Sequence, residues 1–283
     1  GNLTSLTYLS LHTPEFTGEI PLEIGNLTSL TDLSISSFSG EIPLEIGNLV
    51  NLTHIGLTGG NQNTGEIPSE IGNLVNLTHI DLYSNQLTGE IPSEIGNLVN
   101  LVYIDIQKNQ LTGEIPSEIW ELTNLSSLEL YDNQISGEIP EDICNITNLI
   151  WIGLSNNQIS GDIPDCIGNL INIIGLEIGS NQLTGEIPSS IGNLTNLEWF
   201  TLRNNQLTGE IPVEIGNLTN LNYLDLNSNQ LSGDIPQSIC NLNHLFSNQS
   251  WSFNISNNQL CPPYPECLTE EDVGYQDTSN CEE

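Results

Sequence analysis

From Gly72 to Ile95 the chain reads GNLVNLTHIDLYSNQLTGEIPSEI, and close copies of this run return along most of its length. The opening tripeptide recurs at Gly1, Gly25, Gly47, Gly96, Gly168, Gly192 and Gly216, degenerates at Trp120 and Cys144, and ends at Cys240. The spacing is 24, broken only by one 22 and one 25. A fixed period of this length marks a repeat array. One copy offers Leu74, Leu77, Ile80, Leu82, Leu87, Ile91 and Ile95 for burial. That is too little apolar surface to fold alone and enough to stack on neighbours.

Within the copy, Leu77, Ile80 and Leu82 carry an L-x-x-L-x-L pattern whose last positions alternate like a strand. Asn85 then recurs as Asn109, Asn133, Asn157, Asn181, Asn205 and Asn229. A carboxamide both donates and accepts, so a buried column of Asn can satisfy backbone groups where each strand turns away. Gly89 permits a tight bend, Pro92 closes an extended piece, and Ser93 to Leu98 is left for a short helical turn.

These features resemble the leucine-rich repeat family, in its plant-type subclass with the L-x-G-x-I-P signature. The likeness covers Gly1 to about Leu260 and includes ten G-[ED]-I-P copies. It implies a right-handed solenoid, mainly β with short 3-10 turns, with a parallel sheet on the concave side. A second short strand would come from the Gly-Glu-Ile-Pro piece, and ligands would bind on the concave or lateral faces. The subclass is typical of plant receptor ectodomains and polygalacturonase-inhibiting proteins and occurs in secreted bacterial arrays. The expected organisation is ten repeats over residues 1–239 and a disulfide-stabilised C-terminal cap over 240–283. The first three units depart from the Asn rule, reading His12-Thr13-Pro14, Ser36-Ser37-Phe38 and Gly59-Gly60-Asn61. Such irregularity reads either as a lateral binding flank or as simple repeat decay. No N-terminal cap precedes Gly1, so Leu3, Leu6, Leu9 and Leu11 face water unless something covers them.

The unit after Cys240 contains Trp251 and Phe253 and runs through a Pro-rich loop, Cys261 to Cys267, on to Cys281. By likeness to the family's cap, Cys261 pairs with Cys267 and leaves Cys240 for Cys281. The rival scheme pairs Cys240 with Cys261 and Cys267 with Cys281. Cys144 and Cys166 lie 22 apart, two short of one turn, which puts them on adjacent coils within bridging reach. Six cysteines with no Cys-x-x-Cys point to an oxidising, extracellular or cell-surface setting.

Asp and Glu number 36 against 2 Lys plus Arg, a formal net charge of −34 over 283 residues. Nucleic acid, whose phosphates need Lys and Arg, is excluded as a partner. No run of 18 apolar residues and no signal-type N-terminus occurs, so the sequence offers no direct membrane insertion. No Met occurs either, and a chain opening on Gly1-Asn2-Leu3 is processed, trimmed or part of something longer. Glu19, Glu41, Glu66, Glu90, Glu114, Glu138, Asp162, Glu186, Glu210 and Asp234 share one repeat position. Glu23, Glu45, Glu70, Glu94, Glu118, Asp142 and Glu214 share another. Like charges at about 5 Å repel by roughly 0.8 kcal/mol per pair in water. Salt screens them, and calcium is the expected counter-ion because it takes oxygen ligands. No other cofactor is expected.

The outward strand positions define the candidate binding face. Tyr8, His54, His79, Tyr83, Tyr103, Lys108, Tyr131, Trp151, Trp199, Arg203 and Tyr223 are the candidate ligand-binding residues. Aromatics beside carboxylates suit sugar rings or basic and amphipathic protein partners. Asp32, His54 and His79 fall on consecutive coils and form a candidate metal set of imidazole plus carboxylate. Thr17, Thr64, Thr88, Thr112, Thr184 and Thr208 form a regular column open to an ice- or mineral-binding reading. Asn-x-Ser/Thr sequons occur at Asn2, Asn26, Asn51, Asn76, Asn124, Asn145, Asn193, Asn217, Asn248 and Asn254, glycan acceptors where the cell has the machinery. No metalloprotease, nucleophile-elbow or phosphate-loop motif occurs, and no catalytic residue is assigned. The sequence therefore reads as a non-catalytic extracellular recognition module for a protein or carbohydrate ligand. Its rival is a fibre or surface-layer subunit that self-associates end to end.

Overall fold

The computed structural model describes residues 3–12, 18–58, 62–242, 244–245 and 252–281. Asn2, Thr13, Pro14, Thr17, residues 59–61, Asn248 and Trp251, all invoked above, lie outside the described residues. Two compact units divide the chain, Gly1–Ser136 and Gly137–Glu283.

Each unit is a stack of coils. In the first, parallel strands Tyr8–Leu11, Asp32–Ile35, His54–Leu57, His79–Asp81, Tyr103–Asp105 and Ser127–Glu129 pair in sequence order. In the second the series is Trp151–Gly153, Gly175–Glu177, Trp199–Thr201, Tyr223–Asp225 and Phe253–Asn254. Alternation decides the faces, for Ile80, Ile104, Leu128, Ile152, Leu176, Phe200 and Leu224 are at most 1% exposed while their neighbours point outward. The seven residues that the Gly72–Ile95 copy offers for burial are all buried, while Val75 of the same copy is exposed. Each such side chain contributes roughly 1.5–3 kcal/mol by leaving water. In the first coil the matching positions are less covered, with Leu3 exposed and Leu6, Leu9 and Leu11 half-buried.

Past the strand the chain needs a left-handed residue, supplied by Ser84, Lys108, Asp132, Asn156, Ser180, Asn204 and Ser228 at φ between 52° and 58°. The ladder asparagine follows. Asn109 donates from Nδ2 to the carbonyls of Leu82 at 3.0 Å and Ile106 at 2.9 Å, and its Oδ1 accepts from Leu87 N–H at 3.1 Å. One side chain thus ties its own coil to the preceding one. Asn205 and Asn229 repeat the arrangement, and so does Asn258, which the sequence reading had left in the cap. Near the irregular end Asn63 stands where later coils have Leu87. It is fully buried, and its Nδ2 reaches Asn85 Oδ1 while its own Oδ1 has no partner. A buried orphan of this kind costs about 1–3 kcal/mol.

On the far side of each coil lie short second strands. Ser39–Glu41 pairs with Gln62–Thr64, Ser160–Asp162 with Gln182–Thr184, and Ser232–Asp234 with Gln259–Cys261. Between other coils the contact shrinks to single bridges such as Glu90↔Thr112 and Glu186↔Thr208. Thr88, Thr112 and Thr208 donate their hydroxyls to Gly65, Gly89 and Gly185 carbonyls, so this column is tied into the stack. The adjoining acidic column is exposed throughout. Its methylenes lie across the next coil: at Gly89, φ 75°, a Cβ would fall 2.7 Å from Glu66 Cγ. Glycine is required there on both counts.

Each Pro then enters a 3-10 turn, as in Ser93–Asn97, where Ile95 N–H bonds Pro92 O at 3.1 Å. A second asparagine ladder, not read from the sequence, follows the turn. Asn51, Asn76, Asn100 and Asn124 donate to carbonyls of Thr28, Val50, Val75 and Val99 in the first unit. Asn172, Asn196 and Asn220 do the same in the second. Three of these, Asn51, Asn76 and Asn124, head sequons, so there the amide already has a structural use. Asn26, Asn145, Asn193 and Asn217 are exposed at the ends of 3-10 turns, and Asn254 is half-buried in a strand.

The Cys144–Cys166 bridge forms as the spacing predicts, with Cα atoms 5.9 Å apart. Both cap schemes are wrong: Cys240 pairs with Cys267 and Cys261 with Cys281. The helix Glu270–Val273, closed by a Thr269–Asp272 capping box, turns the tail back along the last short strand. There Gln276 bridges Asn258 and its side chain accepts from Leu260 N–H, which delivers Cys281 to Cys261. Cys267 is left to meet Cys240 in the turn Gln237–Leu242.

Candidate ligand-binding face

The outward strand positions of the first unit are largely engaged with one another. Asp32 Oδ1 lies 3.4 Å from His54 Nδ1, and the His54 and His79 rings stack at 4.3 Å with 17° between planes. His79 continues to Tyr103 at 5.9 Å. Partial burial, and then the His54 charge, lowers the His79 pKa. Stacked imidazoles direct their nitrogens side by side rather than at a common point, and Thr53 and Thr78 hydroxyls hold the two Nδ1 atoms. Among the described residues no group of three His, Cys, Asp or Glu could hold a metal ion, so the Asp32–His54–His79 metal set is not borne out.

Lys108 Nζ sits 5.1 and 5.6 Å from the Tyr83 and Tyr131 ring centroids and donates to the Tyr83 hydroxyl at 3.3 Å. That hydrogen bond, followed by the Tyr131 contacts, raises its pKa. Tyr103 donates to Asp105 Oδ2 at 3.2 Å, and Asp105 also accepts from the backbone and side-chain amides of Gln107. Burial raises the Asp105 pKa and those hydrogen bonds oppose it. Burial likewise raises that of Asp81, which accepts from Tyr83 N–H. Tyr8, in the first strand, is exposed and outside this network of contacts.

The second unit presents a different face. Trp151 and Trp199 occupy the same column on either side of Gly175, and Tyr223 follows at 5.5 Å from Trp199. All three are half-buried rather than fully exposed. A Cβ on Gly175 would lie 2.3 Å from the Trp151 ring, so the indole lies flat across the bare backbone. Tyr223 donates to Asp225 Oδ2 at 3.0 Å, and its pKa is pushed up to about 12 by burial and then by the Asp225 charge. Arg203 approaches Asp225 at 4.0 Å, an ion pair at the limit of contact. Glu177 lies between Gly153 and Thr201, and burial raises its pKa against the opposing Arg203 charge. Glu177 is not among the candidate ligand-binding residues read from the sequence.

Family-level comparison matches "Leucine Rich Repeat" at residues 76–98, 100–122, 124–146, 148–170 and 172–194. "Leucine Rich repeats (2 copies)" matches at 195–244. Comparison with curated proteins finds no match. Among solved structures, the plant peptide hormone receptor RGFR1 in complex with RGF2 is similar at 35% identity and TM-score 0.80, covering 90% of this chain and 48% of that one. A TDR receptor is similar at 32% identity and TM-score 0.82, covering 95% and 50%. The Arabidopsis receptor kinase HAESA, solved with the peptide hormone IDA and the co-receptor SERK1, is similar at 34% and 0.79, covering 92% and 47%. The chain spans about half the length of these structures. The repeats, their register and these matches establish that the chain belongs to the leucine-rich repeat family.

Proposed function

We propose that the chain is an extracellular, non-catalytic recognition module that binds an extended peptide or protein segment across the strand face of its second unit. The observation that carries this reading is the Trp151, Trp199 and Tyr223 row beside carboxylates. Large rigid side chains dominate such interfaces because they bury much area at small entropic cost. In the first unit the comparable groups are stacked or clamped by their own neighbours, which leaves less for a ligand. The similar solved structures are receptors, one described as a peptide hormone receptor and another solved with the peptide hormone IDA, which supports a peptide as the ligand class. Three disulfides support an oxidising exterior. No helix among the described residues is long and apolar enough to cross a membrane.

Panning a displayed random-peptide library on the full chain at physiological salt tests the reading. Binders should emerge whose affinity falls at least about tenfold, or 1.4 kcal/mol, in Trp199→Ala. Binders indifferent to Trp151→Ala, Trp199→Ala and Tyr223→Ala alike would place recognition elsewhere.

A further inference from the structure

At the end of five strands the outward polar residue is used locally. Asp81 accepts from Tyr83 N–H, Asp105 from Gln107 N–H, Thr201 from Arg203 N–H, Asp225 from Asn227 N–H, and Asn254 from Ser256 N–H, each two residues on. The side chain thereby closes the turn off the sheet and exhausts much of its accepting capacity. Glu177 occupies the same position with a side chain one methylene longer than Asp, and it does not close the turn. The N–H two residues on belongs to Gly179, and it donates instead to Ser155 Oγ of the preceding coil at 3.0 Å. The Glu177 carboxylate has no hydrogen bond or ion pair among the described residues, although it is half-buried. A half-buried carboxylate without donors is held against a desolvation cost, which an incoming cation would relieve.

Its surroundings are shaped for one. On the preceding strand its partner is Gly153, which has no side chain to fill the space beside the carboxylate. Two residues back along the strand, Gly175 leaves the Trp151 indole flat on the sheet, with Trp199 on the other side of the same column. Arg203 lies over Gly179, its Cγ 3.0 Å from where a Cβ would stand, and reaches Asp225 rather than Glu177. Glu177, Asp225 and Arg203 together carry one net negative charge. A carboxylate in a trio of net negative charge, with two tryptophans on the adjoining outward column, attracts a guanidinium or ammonium by Coulomb and cation–π terms that add in a partly desolvated place.

We infer that Glu177, beside the bare Gly153 and two residues along the strand from Gly175, which Trp151 and Trp199 flank, is the subsite for a cationic side chain, arginine or lysine, of the bound peptide. This rests on the peptide-recognition reading and specifies which residue of the ligand the second unit selects. The chain's overall negative charge attracts any basic peptide, so the test must separate a site from the field. Peptides from the library selection are measured by calorimetry at physiological salt against wild type, Glu177→Gln and Glu186→Gln, the last removing equal charge from the far acidic column. The expected result is an Arg or Lys common to the binders and a loss of at least about tenfold in Glu177→Gln, with less than about twofold in Glu186→Gln. Replacing that arginine by citrulline, which keeps shape and removes charge, should lose as much. Equal effects of Glu177→Gln and Glu186→Gln, or binders without a cation, overturn the subsite. The recognition reading then survives if Trp199→Ala still abolishes binding and falls if it does not. Circular dichroism of Glu177→Gln checks the fold, which loses no internal hydrogen bond in this variant.

Discussion

The two units share one frame and differ in how far they fill its outer face. In the first, Asp32, His54, His79 and Tyr103 lean on one another in series, and Lys108 is clamped between Tyr83 and Tyr131. In the second, Tyr223 is held likewise by Asp225 and Trp199, but three glycines, Gly153, Gly175 and Gly179, interrupt the columns, leaving the Trp151 ring on bare backbone and the Glu177 carboxylate without a hydrogen bond among the described residues. A repeat fold needs its inward residues everywhere, so variation on the outer face is free to be spent on contacts within the stack or saved for a partner. On the proposed reading, the contrast assigns binding to the second unit.

The largest effect that could break the contrast is on binding. Trp151→Ala with Trp199→Ala should weaken a selected peptide by more than about 2 kcal/mol, the scale of a hot spot. Tyr103→Ala in the first unit should change it less than about twofold by the same calorimetry, well under 1.4 kcal/mol. Next comes the shared frame: Asn109→Ala and Asn205→Ala should each cost about 1–3 kcal/mol in urea unfolding through orphaned carbonyls and N–H groups. A cost confined to one unit would mean the ladders are not equivalent.

Charge sharpens the contrast further. The first unit carries two full acidic columns, Glu19 to Glu114 and Glu23 to Glu118, whereas in the second unit the latter column keeps only Asp142 and Glu214. Sodium chloride, and millimolar calcium beyond it, should therefore stabilise the first unit more. Hydrogen exchange with and without salt reads this by unit, and a global gain of 1 kcal/mol would raise Tm by about 2–4 °C. Equal response, or none, would show that the exposed side chains splay and scarcely feel one another. The smallest effect concerns Glu177 itself. Its pKa is raised in the fold, so the native state holds the proton more tightly than the unfolded chain. Stability from this group is complete below the unfolded carboxyl pKa and is lost as pH rises through the folded one. Glu177→Gln should thus be slightly more stable than wild type at pH 7, within about 0.5 kcal/mol, and equal to it in acid where the glutamate is protonated.

Much of this was legible in the residues. The 24-residue period, the inward Leu and Ile, the asparagine ladder and the Cys144–Cys166 bridge all follow from positions that repeat with the coil. The second ladder was equally periodic, but the Asn-Leu-Thr pattern of Asn51 and Asn76 read first as glycan acceptors. The cap pairing was not legible, because a helix and a returning tail have no period to extrapolate and Gln276 decides where Cys281 arrives. Nor was the His54–His79 stack, since register puts rings on one column without saying how they turn. Glu177 shares a repeat position with Asp105 and Asp225, its longer side chain aside. What separates it is Ser155, one coil earlier, taking the Gly179 N–H.

Hydroxyl-radical footprinting of the full chain with and without a saturating selected peptide tests the assignment of the face most directly, because it reads aromatic side chains one by one. The account predicts protection of Trp151, Trp199 and Tyr223 with Tyr8, Tyr83 and Tyr103 unchanged. Protection of the first unit's tyrosines, with both tryptophans still reactive, would contradict it.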